Sequence, residues 1–193
     1  RTLETKEVFP GVYDLGENTS GWAKITVQGK AGDQVDLFYS ERLNPDGTFD
    51  TEDINRFCGE DFAHHDRYIL KGDGPETWEP HFCYHGFRYV RVETAAQVLS
   101  LQGRVVHTDL KTVGSFQCSD EMLGRIHQAS RRSTLTNFHS VPTDCPHREQ
   151  NGWTGDALIS AEQALMNFDM TAAYRKWLRD FADCQRPSGQ VPG

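Results

Sequence analysis

Thirteen consecutive residues, Asp144-Cys145-Pro146-His147-Arg148-Glu149-Gln150-Asn151-Gly152-Trp153-Thr154-Gly155-Asp156, hold three carboxylates, a guanidinium and an indole in one short loop. Cleaving a glycosidic bond takes a carboxylic acid to protonate the leaving oxygen, with further carboxylates and an aromatic face to bind hydroxyls and cover the apolar side of a sugar ring. Glu149 is the candidate proton donor. Asp144 and Asp156 are candidate hydroxyl acceptors, Arg148 a candidate partner for a carboxylate or sugar hydroxyls, and Trp153 a candidate ring platform. If the loop turns Asp144 and Asp156 toward the same pocket as Glu149, like charge and partial burial keep the acid protonated near neutral pH.

Two blocks of different periodicity must position this loop. From Gly11 to about Gln117 short apolar alternations are broken by turn residues, the pattern of an antiparallel, jelly-roll-like β-sandwich. Trp22–Val27 and Gln34–Tyr39, separated by Gly29-Lys30-Ala31-Gly32-Asp33, read as a hairpin, and further strands are expected at 66–70, 87–93, 101–107 and 113–117. The period changes at Ser119, a candidate helix cap, with Met122, Leu123, Ile126 and Ala129 on one face. A second helix is expected with Leu158, Ala161, Leu165 and Phe168 at helical spacing, and a third after Asp169 with Ala173, Trp177, Leu178 and Phe181. Strands and helices in separate blocks imply two domains, 1–112 and 113–193, with the boundary falling in 109–120. Three helices bury a small core, so the second domain reads as the opening of a larger helical unit, and the ends of the chain as those of a piece of a longer polypeptide.

Composition narrows the function classes. Of 193 residues 37% are apolar, enough for a packed core, and the net charge of −8 argues against a nucleic-acid or anionic-membrane surface. No apolar run is long enough to span a bilayer. Five scattered cysteines without a CxxC pair read as reduced thiols of a cytoplasmic protein, a periplasmic or secreted one being the alternative. His64-His65-Asp66 with His81 and His85 suggests a metal site only superficially, because neighbouring residues on a strand face opposite ways and no HExxH spacing occurs. The expected metal set is therefore none, and no cofactor is required.

The thirteen-residue loop, preceded by Val141-Pro142-Thr143, closely resembles the catalytic loop of bacterial α-L-rhamnosidases of glycoside hydrolase family 78. Upstream, Tyr13-Asp14-Leu15-Gly16-Glu17-Asn18 with Gly21-Trp22, Asn44-Pro45-Asp46-Gly47-Thr48, and Glu79-Pro80-His81-Phe82 with Tyr84-His85-Gly86-Phe87-Arg88-Tyr89-Val90 resemble the β-sandwich that precedes their catalytic domain. The resemblance implies an inverting hydrolase whose catalytic domain is an (α/α)6 barrel. It also implies a terminal α-L-rhamnose substrate on a glycoside or oligosaccharide, Glu149 as general acid, and Asp144, Arg148, Trp153 and Asp156 around the sugar. The catalytic base it implies is a Glu farther along than residue 193, so these residues hold only the first barrel helices, whose natural partner is the remainder of the barrel. The chain alone is then expected to be inactive.

Each residue also has a plainer reading. Asp156 is equally suited to capping a helix, Trp153 to pinning the loop on a core, and Arg148 with Asp144 to a structural ion pair. Cys145, before Pro146, reads as packed structure rather than as a nucleophile. Two rival functions stand beside the first. One is a non-catalytic carbohydrate-binding module using Trp22, Trp78, Tyr84 and Tyr89, which strands more often bury in a core. The other is a glycosidase of related barrel fold with another sugar preference.

Overall fold

A computed structural model describes residues 1–59 and 64–191; the expected end of the second domain at Gly193 lies outside the described residues. Its first half runs β1 (Thr2–Glu4), β2 (Lys6–Phe9), β3 (Val12–Gln28), β4 (Gln34–Ser40), helix α1 (Glu52–Cys58), β5 (His65–Ile69), β6 (Pro75–Trp78), β7 (His85–Thr94) and β8 (Gln97–Val105). All strand pairs are antiparallel, in the order β1-β8-β3-β7-β4-β5, with β2 and β6 also paired to β3.

The long β3 makes this single ladder a sandwich. Its first part pairs with β2 and β7, and its second part with β8 and β6. Gly21 stands opposite both His85 and Val105, so the strand changes neighbours there. A Cβ on Gly21 would fall 1.8 Å from the Arg104 carbonyl oxygen, which only glycine avoids. The two groups of strands share one core, with Ala23, Ile25, Val27 and Leu101 from one side and Val35, Leu37, Tyr39, Phe87 and Val90 from the other.

The expected hairpin does not form. The 29–33 turn is present, but β4 pairs with β5 and β7 rather than with β3, so the chain crosses from one group of strands to the other. Turn chemistry marks a reversal without fixing which strand is the next neighbour. The expected strand at 113–117 is also absent. Apart from a bridge between Thr112 and Phe168, this segment is a strap held by Asn167, whose carbonyl accepts from Val113 N–H and Gly114 N–H.

Clustering of contacts gives two units, Arg1–Val106 with Pro146–Arg148, and His107–Cys145 with Glu149–Gly193. In the second, α2 (Glu121–Thr136) leads through β9 (Phe138–His139) and β10 (Val141–Pro142) into the carboxylate loop, followed by α3 (Thr154–Asn167) and α4 (Thr171–Cys184). Asp120, not Ser119, caps α2: its carboxylate accepts from Met122 N–H and Leu123 N–H. The small core joins Leu110, Phe138, Ala164, Phe168 and Met170. Arg131 ties the strap to the helices, donating to Gly114 O, Thr112 Oγ1 and Asn167 Oδ1 while its guanidinium lies over Phe168.

The apolar stripes that share a helix face are largely uncovered. Met122, Leu123 and Ile126 are exposed on α2, and Leu158 and Leu165 on α3. Leu158, Ala161 and Leu165 line an apolar groove with Trp177, Leu178 and Phe181 of α4, while the smaller Ala157 and Ala164 point inward. Among the described residues no helix is long and apolar enough to cross a membrane.

Candidate active site

The loop after β10 is closed by its own polar groups. Thr143 donates N–H and Oγ1–H to the Asn137 carbonyl. Asp144 N–H donates to Asn151 O, and Asn151 N–H returns the bond to Asp144 Oδ1 at 3.0 Å. The buried Cys145 thiol donates to Asp144 Oδ2 at 3.1 Å and accepts from Glu149 N–H at 3.4 Å. Cys145 is thus a staple across the turn, and its engagement with backbone and carboxylate agrees with a packed structural residue. Gln150 takes a left-handed φ of 54° to complete the reversal.

Glu149 is half-buried, and its Oε2 accepts from Trp153 Nε1–H at 2.8 Å. This bond has chemical content. It ties Oε2 to the indole and so fixes the orientation of the carboxyl group. Trp153 is 44% exposed, so it is not the buried anchor of the plainer reading, and its ring is open to a ligand.

Asp156 is the third residue of α3, inside the first turn, where backbone N–H groups favour negative charge. It is not the cap: Trp153 occupies that position and makes no side-chain capping bond. Asp144 and Asp156 line one cleft of about 540 Å³ between α2 and α3, together with Ser130, Ser133, Thr143 and Ser160. Ile126, Phe138, Ala157, Ile159 and Tyr174 also line it, so the cleft mixes hydroxyls and carboxylates with apolar surface. The loop therefore sorts its residues into two sets within the second unit: Asp144 with Asp156 in the cleft, and Glu149 with Trp153 as a bonded pair. Arg148 belongs with Pro146 and His147 to the first unit and is half-buried.

Several quoted sandwich motifs prove to be latches. Asp14 takes a two-pronged bond from Arg88 Nε and Nη2, both at 2.8 Å, and this bond holds its pKa below the usual carboxylate range. Glu79 accepts from Trp22 Nε1–H and Arg104, and the Asp46 carboxylate from Thr48. Trp78 packs on the core, stacked with Tyr68. Trp22, Trp78, Tyr84 and Tyr89 are all partly buried, so they form no open aromatic platform.

His64, Asp66 and His85, which the sequence groups with His65 and His81 only as a superficial metal set, do meet in the fold, and Cys83 joins them. As expected for adjacent residues, His65 turns outward, onto Phe38 and Asp36, while His64 turns inward. The inward face, however, brings His64, Asp66, Cys83 and His85 together. Asp66, Cys83 and His85 each offer a ligand atom within 4.8 Å of the others, the one such trio among the described residues. The signal available was Gly86: a Cβ there would lie 2.8 Å from both Pro146 Cγ and His147 Cβ, so glycine lets the loop segment approach β7.

Comparison with known proteins follows the same two-part division. The model of the bacterial alpha-L-rhamnosidase concanavalin-like domain matches residues 5–107, and that of the bacterial alpha-L-rhamnosidase 6 hairpin glycosidase domain matches residues 111–193. An alpha-L-rhamnosidase of Formosa agariphila is 36% identical over 193 residues, which cover 96% of this chain and 20% of that protein. The structure of alpha-L-rhamnosidase from Dictyoglumus thermophilum superposes with a TM-score of 0.88 at 40% identity, covering 99% of this chain and 22% of that one. Streptomyces avermitilis alpha-L-rhamnosidase complexed with L-rhamnose gives a TM-score of 0.85 at 38% identity, covering 99% and 19%. The chain spans 20% and 18% of the first two curated relatives it matches. With the sandwich and the helical segment each matched by the corresponding domain of one group of enzymes, in the same order, the chain belongs to the bacterial α-L-rhamnosidase family.

Proposed function

We propose that this chain supplies the acid side of an inverting α-L-rhamnosidase. Glu149 protonates the glycosidic oxygen from Oε1, and Trp153 holds the carboxyl orientation through Oε2 and stabilises the carboxylate left behind. Asp144 and Asp156 accept rhamnose hydroxyl protons in the cleft they share, and Arg148 contributes to the loop that presents Glu149. The exposed indole face suits the C6 methyl of rhamnose. Water attacks from the opposite face with help from a second carboxylate about 6.5 to 9.5 Å from the acid. We assign that base to no residue among the 193, and expect no turnover from these residues alone.

The observation that carries this reading is the Trp153–Glu149 bond inside the family's loop, which fixes the orientation of one carboxyl group. The test is incubation of an aryl α-L-rhamnoside with the polypeptide that carries this chain, following the released sugar by proton NMR. Early appearance of the β-anomer supports inversion. A rhamnoside left intact while another aryl glycoside is cleaved would transfer the proposal to a different sugar.

A further inference from the structure

Within the first unit, the segment Pro146–Arg148 meets a buried chain of three links. Asp66 Oδ2 lies 3.0 Å from His85 Nε2, and His85 Nδ1 lies 3.0 Å from His64 Nδ1. His64 Nε2 in turn meets the His147 carbonyl oxygen. Both ends of this chain, a carboxylate and a carbonyl, are acceptors. Every link needs one proton, so three are required, whereas two neutral imidazoles bring only two. The geometry therefore demands one additional proton in the cluster.

The neighbours locate it. Burial alone would raise the pKa of Asp66, but bonds from His85 and Tyr39 outweigh it and hold the carboxyl below its ordinary value. Tyr39 O–H donates to Asp66 Oδ2 at 2.7 Å while its oxygen accepts from Ala23 N–H, so its proton is committed to the carboxylate. Burial, then Asp66, push the Cys83 thiol up, leaving it protonated and facing Asp66 Oδ1. Burial pushes His64 down to about 4, so near neutral pH it carries a single proton. We place the extra proton on the His85 ring, which bridges the Asp66 carboxylate and His64 Nδ1 and stacks on the Tyr39 ring at 4.1 Å and 18°. At the segment the His147 imidazole is itself ionisable and opposes a charge on His64, and Glu41 Oε1 lies 3.6 Å from His147 Nδ1.

We propose that His64 and His85 are positioning residues, a protonated two-imidazole relay anchored on Asp66 whose outer N–H grips the His147 carbonyl and so sets the backbone two residues ahead of Glu149. The relay is intact only while it holds three protons. Removing one at high pH leaves two acceptors facing each other at one link, and adding a fourth at low pH sets two N–H groups against each other between the rings. The same side chains could be pictured around a divalent cation, but His85 Nε2 and Asp66 Oδ2 are already engaged with each other. The catalytic consequence rests on Glu149 being the acid; the proton count does not.

Nitrogen-15 NMR of the imidazoles in the 193-residue chain tests this directly. At pH 6.5 both His85 nitrogens are expected to resonate as protonated, with His64 protonated at Nε2 and bare at Nδ1. In His64→Leu the amides of His147, Arg148 and Glu149 should shift and exchange at least about tenfold faster, whereas His64→Gln, which keeps an N–H for the carbonyl, should largely restore them. In the wild type those amides should loosen as pH rises and the relay loses its third proton. A bare nitrogen on His85 at pH 6.5 would overturn the proposal. So would stoichiometric Zn²⁺ uptake that displaces the His85 Nε2 proton. None of these readouts requires turnover, so a failure of the Glu149 assignment would leave them unaffected.

Discussion

Lowering the pH from 7 to 4.5 should weaken the sandwich through His64 in particular. The imidazole is 7% exposed, and burial, reinforced by His85, pushes it from 6.5 down to about 4 against the opposing pull of the His147 carbonyl. For a base depressed in the folded state, the unfolded chain binds a proton between 6.5 and about 4 that the folded chain refuses. Stability thus falls as pH falls through that window and is flat for this group on either side. Complete titration is worth on the order of 3 kcal/mol, a large share of the roughly 5–15 kcal/mol typical of a domain. Carboxylates act in a different window. The folded-state values of Asp14, Asp36, Asp66, Glu76 and Glu79 are all depressed, so their stabilisation is present above the unfolded value and lost progressively as pH falls below about 5. Urea unfolding at several pH values, read from the amides of Ile25 and Val90, reports the sandwich alone and leaves out the half-buried His139 of the other unit, whose pKa is also depressed. His64→Gln should flatten the slope between pH 6.5 and 4.5. An equal slope in wild type and variant, or stability independent of pH across that window, would refute the reasoning.

Three substitutions probe the frame around the loop. Gly86→Ala drives a methyl to 2.8 Å from Pro146 and His147 and should cost about 1–3 kcal/mol while moving the resonances of those residues; an unchanged urea midpoint would contradict the close approach. Asp120→Ala should lose about 1 kcal/mol in the helical unit and Ser119→Ala next to nothing, measured by urea unfolding; the reverse order would restore Ser119 as the cap. Asn167→Ala strips a shared acceptor from Arg131 and His127 and should cost roughly 1–3 kcal/mol, with faster hydrogen exchange at Val113; slow exchange there would free the strap from dependence on that side chain.

The strands were legible because half-buried strands alternate, and the helices because Leu158, Leu165, Trp177 and Phe181 recur at helical spacing. Pairing was less so. The turn at 29–33 reverses the chain, but β7 rather than β3 lies beside β4, a choice set by packing between distant segments. Periodicity likewise identified which helical residues share a face without saying what covers it, so Leu158 and Leu165 face a groove while Ala157 and Ala164 fill the core. In the loop, residue types alone nominated Glu149 and Trp153, but not the bond between them. His64, Asp66 and His85 stood together as a group in the sequence, but their inward meeting with Cys83 and the His147 carbonyl depends on where β5 and β7 end relative to each other, and no spacing in the chain encodes that.

The most direct test of the acid assignment is turnover of α-L-rhamnosides by the polypeptide carrying this chain, wild type beside Glu149→Gln, over leaving groups of rising basicity. A missing proton donor should cost roughly 10² or more on a basic, alcohol-like leaving group and much less on an activated nitrophenolate, which departs without help. Equal rates in the two proteins, or an equal loss for every leaving group, would contradict Glu149 as the general acid.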